Sequence, residues 1–377
     1  MTQVDIGPKE FTHNRNGHFL LSTPEFIELQ TYVEAGKRLP VTEDDLQIKL
    51  GITKDDTHEF KDMIAVYKQI VTHCRYFSDT TFPASVGLAA DIVHYNLKVP
   101  IYYGALNPII DDWNDGSMSP EMAKKKLDAI LKNLRASAIS FKDNAATVKQ
   151  KIHQFVEETI QDESDLKSIR KRYQNHYHGE GLDKQIEAYR TQAENAGNQI
   201  RHWNKEYQHD VTVASTSATY GWMWPFGTIA AGVVAGVYGK KATDALEEVH
   251  KYQKKLETAQ GELRKALNLQ HDLDLANDSL NGILKKVDKA VDVLQKMEGA
   301  WGAIADDLTN ILNVIDQGID KAPAIIKDLG VTNAINAWSA ASEIADAYRA
   351  NAYITVESEE TIKQDPNKYK LPQASTV

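Results

Sequence analysis

The side chains able to do chemistry are few, and their spacing does not suit it. His176 and His178 stand two residues apart, so no single helix face offers both imidazoles to a metal ion. His13 and His18 fall in a polar N-terminal stretch with Gly7, Pro8 and Gly17, which reads as an irregular, flexible arm. Asp111-Asp112 and Asp306-Asp307 are carboxylate pairs, and they read as a helix end and a solvated helix face. There is no phosphate-binding glycine loop, no HExxH, no GxSxG and no CxxC. The one cysteine, Cys74, lies in Ile70-Val71-Thr72-His73-Cys74, a helix face that implies a buried, inert thiol. No catalytic residue, metal or cofactor is therefore expected, and the chain reads as something other than an enzyme.

A different kind of chemistry is written between Asp210 and Lys240, where no charged residue occurs. The run opens with the Ser/Thr-rich stretch Val211–Thr219, continues as Tyr220-Gly221-Trp222-Met223-Trp224-Pro225-Phe226, and ends in an apolar stretch carrying Ile229, Val233, Val234 and Val237. Tyr220, Trp222, Trp224 and Tyr238 bracket the apolar part, and amphipathic rings of this kind favour a membrane–water interface. Gly232 and Gly236, four residues apart, permit close helix approach in hydrocarbon, and Lys240-Lys241 supplies a cationic edge beyond Gly239. Phe226–Gly239 spans only about 21 Å as a helix, short of the roughly 30 Å hydrocarbon core. With Pro225 before it, the segment reads as a hairpin, a re-entrant loop or a tip that reorganises, with Gly221, Pro225, Gly232, Gly236 and Gly239 as packing or hinge positions.

Composition narrows the partners. In 377 residues, a hydrophobic share of 42% and a charged share of 25% are those of a soluble folded protein. A net charge of -10 argues against a nucleic-acid footprint and against simple electrostatic docking on anionic lipid. Membrane contact must then rest on apolar burial. The opening residues Met1–Pro8 show neither a basic region nor an apolar core, so export without a recognisable leader is the expectation.

The elements that would carry this segment are long helices. Ser22-Thr23-Pro24, Thr42 with Asp45, and Ser119-Pro120-Glu121 are helix starts, and Phe60, Ile64, Tyr67, Val71 and Cys74 repeat at helical steps. Pro100 and Pro108 interrupt the apolar region Pro83–Trp113, which reads as helix inside an N-terminal bundle. From Leu127 the pattern changes. Leu127, Leu134, Phe141, Val148 and Phe155 fall at sevens, and Leu131, Ala138, Ala145 and Ile152 form the companion row. A seam resumes from Leu182 to Tyr207.

Beyond the uncharged run, Tyr252, Ala259, Ala266, Leu273, Leu280, Val287, Leu294, Trp301, Leu308 and Ile315 fall at consecutive sevens. For a chosen frame, chance gives odds on the order of one in several thousand. The companion row is mostly apolar, with Gln270, Asn277 and Glu298 as polar exceptions that either set register or sit in a wet gap. One helix over Thr243–Lys321 would be about 110–120 Å long. A last helix is expected near Val331–Ala350, packing through Ile335, Trp338, Ile344 and Tyr348, before a polar tail.

Two heptad helices joined by an uncharged apolar head resemble the cytolysin A superfamily of α-helical pore-forming toxins, and within it the A subunit of the alpha-xenorhabdolysin binary toxins. Phe26–Leu50, His73–Trp113 and Tyr220–Lys241 carry the resemblance. It implies an all-α chain, an elongated helical bundle with a long antiparallel coiled-coil stalk and a hydrophobic head at its tip. The division expected is 1–118 for an N-terminal bundle with its arm, 119–210 for the ascending stalk, 211–241 for the head, 242–322 for the descending stalk, and 323–377 for a C-terminal helix and end. It further implies a secreted, water-soluble form, a target-cell lipid membrane engaged by Tyr220, Trp222, Met223, Trp224, Phe226, Ile229, Val233, Val234, Val237 and Tyr238, and a second, B-type toxin subunit with which a homo- or hetero-oligomer forms. The competing readings are a non-toxic coiled-coil scaffold whose apolar tip docks in a protein partner, and a single-component lysin.

Overall fold

The computed structural model describes residues 5–13, 18–21, 24–50, 54–176, 219–220, 261–353 and 355–356. Among the described residues the chain is all-α apart from two-residue strand pairs. It divides into two compact units: Met1–Ser22, Phe82–Lys151 and Ala290–Ala350 make the first, and Thr23–Thr81, Ile152–Lys289 and Asn351–Val377 the second.

In the first unit, α4 (Phe82–Asn114) runs through Pro100 and Pro108 without stopping. Both prolines are exposed, where water can serve the carbonyl that each leaves without a donor. The helix ends before Gly116, whose φ of 82° only glycine adopts freely. Ser119 Oγ then accepts the Met122 N–H to cap α5 (Pro120–His176), which has Pro120 in its first turn.

The expected seam on α5 is buried at Leu127, Leu131, Leu134, Ala138, Ala145 and Val148. Its partner is α6 (Gly261–Gln317), buried at Leu294, Trp301, Leu308 and Ile315. Lys124 pairs with Asp316, Gly302 lies against the Lys142 stem, and Lys149 pairs with Glu298, so the two helices run antiparallel here.

The second row on α6 differs from expectation. Ala305 and Leu312 are buried, but Glu298 is half-exposed in its ion pair with Lys149. A third row, Ala290, Met297, Ile304 and Ile311, also at sevens, is buried instead. Three buried rows mean that α6 is covered on more than the side facing α5, as in a bundle rather than a two-helix seam. Gln270 and Asn277 lie outside the residues whose side chains are described.

A larger correction concerns the N-terminal arm. It is anchored in the core: Thr12–His13 (β1) and His18–Phe19 (β2) pair as an antiparallel hairpin, and Ile6, Phe11, Phe19, Leu20 and Leu21 are all buried. The Ile6 carbonyl accepts from Trp338 Nε1 at 2.8 Å and from Tyr103 Oη at 2.9 Å. Trp338 sits on α8 (Val331–Asn351), reached through α7 (Ala322–Asp328), which carries Pro323 in its first turn and packs on α4. Of the packing residues expected on α8, Trp338 and Tyr348 are buried while Ile335 and Ile344 are half-buried. Alanines 334, 341 and 345 complete its inner face.

The second unit holds α1 (Pro24–Gly36), α2 (Glu43–Leu50) and α3 (Lys61–Tyr76), with the later part of α5. Thr42 caps α2 by accepting the Asp45 N–H and donating to the Asp45 carboxylate. Gly36 closes α1 against α3 so tightly that a Cβ there would collide with Cys74 Sγ. Gly36→Ala is accordingly expected to lower stability by about 1–3 kcal/mol, the range for overpacking a filled site. Adding Cys74→Ala should recover part of that loss in a denaturation double-mutant cycle, and strictly additive losses would refute the contact. Also in this unit, β3 (Thr219–Tyr220) pairs in parallel with β4 (Thr355–Val356).

Candidate functional site

Among the residues expected to meet a membrane, Tyr220 falls within the described structure. Its backbone lies in β3, with Val356 as its strand partner. The others, from Gly221 to Gly239, lie outside the described residues, as does the seam Leu182–Tyr207. Among the described residues no helix is long and apolar enough to cross a membrane, and no cluster of metal-binding side chains occurs.

Each unit has a packed centre of its own. In the first unit, six aromatic rings converge. Trp301 lies 4.7 Å from Phe11, 5.0 Å from Phe141, 5.3 Å from Tyr95 and 5.8 Å from Trp338 between ring centres, and Tyr103 meets Tyr95 through its hydroxyl at 3.4 Å. Trp301 Nε1 is buried without a hydrogen-bond partner. Beside this cluster Asp91 accepts from Asn144 at 3.0 Å, and burial pushes its carboxyl up to about 6. On the outside of the same unit, Leu97 and Ile101 stand one turn apart on α4 with 65% and 69% of their surface open to solvent.

In the second unit, Phe155 of α5 receives Phe77 at 4.6 Å and Tyr32 of α1 at 6.2 Å between ring centres. Cys74 is 1% exposed, and burial holds its thiol well above the ordinary cysteine range, as expected of an inert thiol. One turn along α5 from Glu158, Asp162 is buried and takes a 2.9 Å hydrogen bond from His73 Nδ1. Sequence reasoning missed this pair. His73 adjoins the Cys74 face that it did identify, but Asp162 stands in the acidic run Glu157–Asp165, where nothing in the spacing separates a buried carboxylate from solvated ones.

No family model matches the chain. It is 23% identical over 358 residues to the pesticidal crystal protein Cry6Ba of Bacillus thuringiensis, covering 89% of each chain. Among solved structures it superposes on the HblL1 toxin component of Bacillus cereus with a TM-score of 0.60, 16% identity, and 94% of this chain and 100% of the other covered. Soluble SmhA of the tripartite alpha-pore-forming toxin of Serratia marcescens gives a TM-score of 0.61 at 14% identity, covering 93% and 96%. Soluble AhlB of the corresponding Aeromonas hydrophila toxin gives 0.58 at 12% identity, covering 93% and 97%. The chain therefore has the all-α fold of these toxin components.

Proposed function

We propose that this chain is a component of a bacterial α-helical pore-forming toxin, without catalytic activity. It meets the target-cell membrane through residues 211–241 and assembles there with a B-type partner subunit. On this reading, residues 119–210 and 242–322 are the ascending and descending parts of a coiled-coil stalk, the apolar residues from Tyr220 to Tyr238 enter the acyl boundary, and export precedes membrane contact. The observation that carries it is an uncharged, aromatic-bracketed run set between two heptad helices, in a chain with the fold of alpha-pore-forming toxin components. A pesticidal relative and the exposed apolar pair Leu97 and Ile101 give the toxin and assembly readings further support.

Flotation with liposomes tests the membrane step. The chain is expected to rise with the vesicles, and to release a trapped dye when mixed with its partner. A chain that stays in the aqueous phase with and without that partner is the scaffold of the competing reading. Dye release by the chain alone would instead make it a single-component lysin.

A further inference from the structure

Across the interface of α3 and α5 in the second unit, a buried carboxylate is held by one imidazole. Asp162 has 2% of its side chain exposed, its Oδ2 lies 2.9 Å from His73 Nδ1, and its Oδ1 is buried with no hydrogen-bond partner. The neighbouring charges are otherwise acidic or already engaged. On α5 itself, Glu158 and Asp165 add negative potential at Asp162. Just past the end of α1, Lys37 is tied to Glu34 at 2.7 Å and to Ser78, and on α1 Tyr32 presents a buried neutral hydroxyl. On α3, Cys74 is a buried neutral thiol. Lys167 is engaged by Glu163, and Arg172 by Asp62. Of the groups that act on Asp162, His73 is the one that favours its charged form.

We propose that the His73–Asp162 pair is a pH-sensitive latch between α3 and the second half of α5, closed in mildly acidic solution and released as the pH rises through neutrality. While imidazolium and carboxylate face each other, the buried charge of Asp162 is compensated and accepts one hydrogen bond from His73 Nδ1. Once His73 loses its proton, the Asp162 carboxylate stays in a low-dielectric site with a single neutral donor and acidic neighbours.

The sign follows from linkage. The hydrogen bond to Asp162 raises His73 above the ordinary histidine value, and desolvation raises Asp162 above the ordinary carboxylate value despite the opposing pull of His73. Both groups bind protons more tightly in the closed form than when exposed. The His73 contribution to the closed form is therefore fully present below the free histidine value and is lost as pH rises through the folded one, whereas the Asp162 contribution is lost at lower pH, as its own carboxyl ionises. The latch is a property of the second unit, whatever surface the chain binds. It ties down the part of α5 that leads, in sequence, toward the uncharged run.

Hydrogen exchange of the full chain, corrected for the intrinsic effect of pH and resolved by peptide, tests this between about pH 5.5 and about pH 8.5. Peptide resolution matters, because Asp91 ionises near about 6 in the other unit and would move a global melting curve by itself. Protection in Lys61–Tyr76 and Ile152–His176 is expected to fall several-fold more than in Val331–Ala350. Asp162→Asn retains an acceptor for His73 without the charge and should flatten that difference. His73→Gln should show the low-protection behaviour already near the acidic end. Equal slopes in all three segments, or an Asp162→Asn slope matching wild type, would overturn the latch. If the variants do not fold, the wild-type His73 imidazole titration by NMR decides: a midpoint at the free-histidine value refutes it, and a raised midpoint coinciding with the exchange transition supports it.

Discussion

Trp301→Ala is expected to lower the stability of the first unit by about 3–5 kcal/mol, the range for truncating a buried aromatic whose surroundings cannot collapse. The indole is fully buried and stands at the meeting point of four segments far apart in sequence: Phe11 from the arm, Tyr95 from α4, Phe141 from α5 and Trp338 from α8 all approach it. Phe11, Tyr95 and Trp338 are themselves buried, and Trp338 is bonded to the Ile6 carbonyl, so a cavity at Trp301 would be poorly filled by these neighbours turning inward.

The hydrogen-bond pattern sharpens the expectation. Trp301 Nε1 has no partner, so Trp301→Phe loses volume but no bond and should cost far less than the alanine change. Trp338→Phe removes a donor from Ile6 and should add a loss of about 1 kcal/mol to its volume effect. Urea unfolding followed by circular dichroism measures all three. A Trp301→Ala midpoint indistinguishable from wild type would mean that the cluster is not a cooperative centre.

How much of this was legible beforehand follows the physics of each signal. Helix starts were readable because capping is local: Thr42 accepts the Asp45 N–H, and Ser119, set just before Pro120, accepts the Met122 N–H. The α5 seam was readable because one periodic row is enough to mark a buried face. Periodicity could not count the neighbours around α6. The row through Met297 and Ile304 is as regular as the one chosen, and only the arm, α4 and α8 packing nearby explain why it is buried while Glu298 reaches out to Lys149.

The arm was misread for a related reason. Gly7, Pro8 and Gly17 do break helical periodicity, but Ile6, Phe11 and Phe19 are held by contacts with residues hundreds of positions away, and no local pattern encodes those. Of the two elements for which a function is proposed, the uncharged run was visible because absence of charge is a property of composition. The His73–Asp162 pair was not, because it depends on two helices meeting at one level.

The largest functional effect is expected from Val233→Asp, in the middle of the apolar run. A carboxylate at the centre of an inserting segment costs about 2.5–3.5 kcal/mol on the insertion scale, while valine contributes a few tenths in the favourable direction. The change should therefore weaken vesicle partitioning by roughly a hundredfold, since about 1.4 kcal/mol is a factor of ten. Dye release with the partner should fall at least in proportion, and Val233→Leu should retain both.

The electrostatic background makes the experiment discriminating. The chain carries a net charge of -10, so anionic lipid offers it little general attraction, and binding driven by the apolar run should change little with vesicle charge or salt. A Val233→Asp protein with unchanged far-ultraviolet circular dichroism and lost flotation places the membrane contact in this run. If it floats and releases dye as the wild type does, residues 211–241 do not enter the bilayer, and any membrane contact has to be sought on another surface, with the exposed Leu97 and Ile101 of α4 the first to test.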